Sequence, residues 1–179
     1  MKYQIKSIKT SSLTDLEIQK ICKLKNTHWN YGFKSNLLWF KKNVKKTDKH
    51  NILFYKKKHI IGYTLLRERS FSEKKIKKKY FYFDTLIIKK KFRKKNLSKM
   101  LMLTNNKVIR MSRKMSFLIC LKNQIEFYKK NGWILLPDSK FKVKDHKFSS
   151  AFSKSKVNGM IYNYRNKNIK SKLNIYFYN

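Results

Sequence analysis

The chain is short of negative charge and of the residues that bend and break secondary structure. Its 179 residues include four Gly, one Pro, a single Ala (Ala151) and nine acidic residues. So little Gly and Pro excludes fibrous repeats, Pro-rich spacers and flexible linkers. No internal repeat is visible, and residues 1–179 read as one domain, long enough for a proper core. No window of about 18 uninterrupted apolar residues occurs, which argues against a membrane-spanning helix. The first residues lack the apolar run of a secretory leader, so the expected compartment is the cytoplasm. Cys22 and Cys120 stand alone inside apolar patterns, without ligand-like spacing. They read as buried core thiols, and neither a disulfide nor a metal site is expected.

Against the nine acids stand 46 Lys and Arg, a formal charge of +37. Such a balance invites a nucleic-acid partner, but two features speak against that inference. The abundant residues (Lys, Asn, Ile, Tyr, Phe) have A/T-rich codons and the scarce ones (Gly, Pro, Ala) G/C-rich codons, so a biased genome accounts for the charge by itself. Lysines are also spread along the whole chain, and Arg, the better reader of phosphates and bases, supplies only six of the cations.

What the chain does have is a distinctive stretch from Tyr80 to Met102. It reads as an apolar strand (Tyr80 to Ile88), a short basic loop, and an amphipathic helix opening near Asn96. Leu97, Met100, Leu101, Thr104, Val108 and Met111 fall at helical spacing and predict one buried face. A buried strand that feeds a helix N-terminus through a cationic loop is suited to phosphate. The free N–H groups of the first turn, the positive end of the helix dipole and Arg93, Lys94, Lys95 and Lys99 all favour an anion.

Arg93-Lys94-Lys95-Asn96-Leu97-Ser98 resembles the acyl-CoA diphosphate loop of the GCN5-related N-acetyltransferases, whose pattern is Arg/Gln-x-x-Gly-x-Gly/Ala. Both loop glycines are replaced here. Asn96 tolerates the left-handed conformation better than most residues, and Ser98 is small. A second segment, Asn123 followed by Phe127-Tyr128-Lys129-Lys130-Asn131-Gly132-Trp133, is similar to the family's Asn…Phe-Tyr-x-x-x-Gly-Phe/Trp pattern. The Tyr-Gly-Trp form, with an acid on the central strand, is similar to the aminoglycoside-modifying members especially.

The remaining elements agree in order. Met1 to Ile8 suits a first strand. Thr14-Asp15-Leu16-Glu17 is a capping box, with Leu13 and Ile18 placed as a hydrophobic staple, and predicts a helix from Asp15 to Lys25 that buries Ile18, Ile21 and Cys22. Ser35 is the expected cap of a second helix carrying Leu37, Phe40 and Val44. Between the helices lies an aromatic loop, His28 to Phe33, whose rings either plug the helix pair or form a lip over a binding site. Asn51 to Tyr55 and His59 to Arg67 read as a hairpin turning on Lys56–Lys58, with Gly62 marking a bulge or close contact. Ser70 to Lys79 is polar and reads as a surface loop. Ser116 to Leu121 is a strand, and Asn123 to Lys130 a helix capped by Asn131-Gly132. Trp133 to Leu136 follows as a strand, Asp138 to Asn158 as a long loop, and Gly159–Tyr164 and Leu173–Tyr178 as late strands. The order is α/β, with antiparallel strands first and a parallel pair flanking the basic helix. The resemblance implies the acetyltransferase fold, a mixed sheet of about seven strands with four helices.

Acyl transfer from a thioester to an amine needs a base, oxyanion donors and an acid for the leaving sulfur. The resemblance implies acetyl-CoA as cofactor, held by Arg93, Lys94, Lys95, Asn96, Leu97, Ser98, Lys99 and Asn123. It further implies oxyanion donors in the backbone of Leu86, Ile87 and Ile88, and an acceptor pocket lined by Trp29, Tyr31, Glu68 and Trp133. Tyr128, with an ordinary phenol pKa of about 10, can protonate a thiolate of about 8.5 in a concerted step; the ring also fits a core position. Asp84 lies in mid-strand, where a carboxylate is costly unless catalytic or paired with a buried cation. It is the first candidate base and Glu68 the second. His28, His50, His59 and His146 form no constellation and read as structural. The expected activity is direct acetylation of a small primary amine, an amino sugar or sugar nucleotide, by a monomer or homodimer. Protein or peptide N-acetylation, and an inactive basic module that binds nucleic acid, are the alternatives.

Overall fold

The computed structural model describes residues 2–144, 158–164 and 171–177. Among them are nine strands and four α-helices, where about seven strands were expected. The strand that no expectation covers is the short β7, residues 141–143, inside the polar stretch that reads as a long loop, and β3 (His59–Glu73) and β4 (Ile76–Ile88) both run further than expected. The chain divides into two units, residues 1–67 with 84–105 and residues 68–83 with 106–179.

In the first unit β1 (Tyr3–Lys9) pairs antiparallel with β2 (Lys49–Tyr55), from Tyr3↔Tyr55 to Lys9↔Lys49. β2 pairs antiparallel with β3, and the register shifts between Leu53 and Phe54, opposite Gly62 and Ile60. Gly62 meets both expectations set for it. It sits at the bulge, and a Cβ there would lie 2.8 Å from Ile88 Cδ1 and 3.1 Å from Leu101 Cδ1.

Side-chain alternation along the strands makes two cores. Ile52, Tyr63, Leu65 and Ile87 pack against Ile21, Cys22 and Leu24 of α1 (Asp15–Asn26) and Phe40 of α2 (Phe33–Asn43). Their neighbours Leu53, Ile61 and Ile88 pack against Leu97 and Leu101 of α3 (Leu97–Met111). The capping box at Thr14 and Glu17 forms as expected. Ser35 does not cap α2. Gly32, at φ 86°, takes that place, and the Asn36 side chain bonds back to its carbonyl at 2.9 Å.

The buried face of α3 also differs from the apolar stripe. Met111 is 74% exposed, whereas Asn105 is fully buried. Asn105 joins Asn51 (2.8 Å) and Thr64 (3.0 Å), so a satisfied polar network seats this part of the helix. An apolar count cannot register Asn as a core residue.

In the second unit β4 runs parallel to β5 (Ser116–Cys120), paired at Phe81↔Ser116 and Tyr82↔Phe117. β5 pairs with β8 (Asn158–Tyr162), and β8 with β6 (Ile134–Leu135). β9 (Leu173–Ile175) pairs with β3 and with β7 (Phe141–Val143). The core is aromatic, built on Phe71, Tyr80, Tyr82, Phe117 and Phe177.

Residues 70–79 are not a surface loop. They form a hairpin that turns on Lys74 and Lys75, at φ 46° and 68°. Positive φ at both central residues matches the twist of paired strands. Within the hairpin the Glu73 carboxylate accepts from the hydroxyls of Tyr164 (2.7 Å) and Ser171 (3.0 Å), and just before it Arg69, 1% exposed, donates to the carbonyls of Phe177 (2.9 Å) and Glu68 (2.6 Å). Residues 145–157, with His146 and much of the expected long loop, lie outside the described residues, as does Tyr178. Cys22 and Cys120 are buried free thiols, each pushed up to about 11 by burial.

Candidate cofactor and acceptor site

β4 ends at Ile88, where the chain makes one tight turn, Lys90–Phe92. Phe92 anchors this turn, 9% exposed and 5.2 Å from the Tyr55 ring. Lys89 N–H donates to the Ile61 carbonyl at 2.8 Å. Beyond the anchor the backbone twists twice into the left-handed region, at Lys94 (φ 60°) and Asn96 (φ 54°), before α3 begins. Asn96 behaves as expected of it. The same conformation at Lys94 is a finding of the structure.

Alternating handedness gathers backbone N–H groups into an anion-binding concavity, here at the N-terminus of a helix with no acid in its first turn. A cavity of about 370 Å³ lies there, lined by Leu86, Ile88, Arg93, Lys94, Asn96 and Ser98 among others, with no carboxylate. These residues fit a diphosphate. Lys95 and Lys99 are exposed nearby in sequence but do not line the cavity.

Arg93 is fixed at two points. Its Nε–H donates to the Ile88 carbonyl at 3.2 Å, and Nη2 donates to Nδ1 of His28. His28 also lines the cavity, so it is part of the candidate site and not merely structural. Burial and the Arg93 charge hold its pKa below the usual 6.5.

Asp84 projects from β4 towards Arg67 of β3, Nη1 to Oδ2 at 3.3 Å, with side-chain exposures of 17% and 2%. Arg67 and Lys25 both lie against the Trp39 ring, at 5.4 and 3.7 Å from its centroid. Sequence reasoning missed all three residues. Lys25 was one lysine among many, and only the packing of α1 against α2 shows that it is buried. In the aromatic loop Trp29 packs into the core beneath α1 and α2, whereas Tyr31 is 73% exposed.

In the second unit α4 (Ile125–Lys130) places Tyr128, 9% exposed, among Phe83, Phe127 and Trp133, with centroids 5.1–6.2 Å away. Burial, with a smaller contribution from Cys120, pushes the phenol pKa well up. The helix ends as expected: Gly132 takes φ 82°, and the N–H groups of Asn131 and Trp133 both return to the Tyr128 carbonyl. Trp133 is 2% exposed and stacks on Tyr162 at 5.6 Å, so in this unit it is a core ring that buttresses Tyr128. Asn123 is exposed in the turn that precedes α4. Glu68 is ion-paired with Lys114.

His50 is fully buried between Tyr63 (2.7 Å at Nδ1) and Thr10 (2.7 Å at Nε2), and burial lowers its pKa to about 4. Among the described residues no three His, Cys, Asp or Glu side chains group as metal ligands, and no helix is long and apolar enough to cross a membrane.

No family model and no curated protein matches the sequence. Solved structures do match the fold. YhbS of Escherichia coli, a GNAT-family N-acetyltransferase in complex with CoA, superposes with a TM-score of 0.68 at 9% identity, over 99% of this chain and 90% of its own. Escherichia coli ElaA gives 0.63 at 12% identity, over 89% and 98%. An acyl-CoA N-acyltransferase from Pseudomonas aeruginosa gives 0.61 at 10% identity, over 89% and 98%.

Proposed function

We propose that this chain, which has the fold of the GCN5-related N-acetyltransferases, is an acetyl-CoA-dependent N-acetyltransferase acting on a primary amine of a small molecule by direct transfer. The carboxylate-free cavity at the N-terminus of α3, where Lys94 and Asn96 turn the backbone left-handed beside Arg93, carries this reading. A relative in fold solved with CoA supports it.

Acetyl-CoA, when bound, would supply the acetyl group as a thioester open to attack by an amine. Arg93, Lys94 and the first N–H groups of α3 would hold its diphosphate. Backbone N–H groups of Leu86 to Ile88 would serve as donors to the acyl oxygen. Asp84 would take a proton from the amine, directly or through a water, with Glu68 the next candidate. Tyr128 Oη, kept protonated by burial, would be the proton donor for the leaving thiol. The resemblance to aminoglycoside-modifying members favours an amino sugar or sugar nucleotide as acceptor.

Titration calorimetry with acetyl-CoA tests the reading, followed by thiol release with a panel of amines. Tight binding that falls strongly in the double variant Arg93→Glu, Lys94→Glu supports it. Unchanged affinity in that variant, or no binding by the natural chain, overturns it.

A further inference from the structure

We infer that Lys25, Arg67 and Trp39 form an anion subsite beside Asp84, so that the acceptor is an amine that also carries a carboxylate or phosphate. The inference rests on the acetyltransferase reading for the identity of the acceptor, and on the buried charges themselves for the subsite.

Lysine almost never surrenders its ammonium to a protein interior; it extends its stem and keeps the charge in water. Lys25, in the last turn of α1, is only 6% exposed. Its Nζ lies 3.7 Å from the Trp39 centroid and 5.9 Å from that of Trp29. Among the described residues no carboxylate is within ion-pairing distance of it. Arg67, 2% exposed, rests on the same Trp39 ring. The neighbouring carboxylate of Asp84 is ion-paired with Arg67, not with Lys25. Four elements, α1, α2, β3 and β4, therefore converge around Lys25, a buried ammonium with no ion-paired carboxylate of its own among the described residues.

Buried charge without a counter-charge is unfavourable, and here burial already works against the ammonium of Lys25, opposed by Asp84. A ligand anion would balance it. The cluster is not sealed: Asp84 keeps 17% of its side chain accessible and Trp39 is half-buried. A bifunctional ligand suits the layout, its amine near Asp84 and its anion near Lys25 and Arg67. Sites built around paired polar groups reject analogues that lack the matching group much more strongly than apolar pockets do.

Two matched pairs of probes test this: alanine with alaninamide, and phosphoethanolamine with ethanolamine. The natural chain, Lys25→Met and Lys25→Arg are compared by acetylation rate and, with no cofactor present, by the thermal shift each probe produces. The anionic member of at least one pair should be preferred about tenfold or more, and the pair that shows it distinguishes carboxylate from phosphate. Lys25→Met should bring that preference near one and remove the thermal shift, while Lys25→Arg restores part of both and acetyl-CoA affinity is unchanged. Equal handling of charged and neutral partners by the natural chain, or a preference that survives in Lys25→Met, overturns the subsite. Failure to bind acetyl-CoA sinks the acetyltransferase reading alone, because the cofactor-free thermal shifts still decide the subsite.

Discussion

Arg93 Nη2 donates to Nδ1 of His28 across 3.2 Å, tying the loop after α1 to the loop that opens α3. Guanidinium can only donate, so the imidazole accepts and carries its proton on Nε2. An NMR titration of His28 should therefore give a midpoint below 6.5. A diphosphate held beside the ring would raise that midpoint, and binding would then take up a proton. Acetyl-CoA affinity should rise as pH falls below about 6.5, and His28→Gln should flatten the dependence. A flat profile in the natural chain would count against His28 facing the phosphates.

Asp84 separates catalysis from ion pairing. Asp84→Asn leaves Arg67 without its carboxylate, and the melting temperature should fall by the equivalent of about 2 kcal/mol, less than the ~3–5 of a fully buried pair because Asp84 is partly exposed. If Asp84 is also the base, acetylation in the surviving folded enzyme should slow most at low pH, where more of the amine is protonated. A large stability loss with an unaltered pH–rate profile would leave only the structural role and make Glu68 the next residue to test.

Tyr128→Phe keeps the ring that packs on Phe83 and Trp133, so stability and acetyl-CoA affinity should hardly change while turnover drops by roughly 10²-fold or more, the usual contribution of a general acid. Turnover at the natural rate would mean that the phenol is only core.

His50 predicts acid sensitivity. Its pKa is about 4 in the folded chain and about 6.5 when unfolded, so only the unfolded chain gains a proton between those values. Stability is complete above about pH 6.5 and is lost as pH falls towards 4, by on the order of 3 kcal/mol at most. Urea midpoints measured across this window should show the slope, and His50→Gln should reduce it.

The amino-acid sequence determined what short-range chemistry controls. The capping box of α1, the basic loop before α3, the Asn131-Gly132 helix end and the bulge at Gly62 each depend on residues adjacent in sequence or on one strand's pattern, and all appear in the structure. The two motifs also carried the acetyltransferase fold, since their order and spacing are properties of the chain itself. Tertiary structure alone decided where polar residues go. Asn105 lies in the core because Asn51 and Thr64 satisfy it, and Arg69 because two backbone carbonyls do. Lys25 lies beneath Trp39 because α1 packs on α2, so that among so many lysines only burial marks it as different. A polar side chain is buried when partners from distant segments meet it, and those meetings are written in the fold and not in any local pattern.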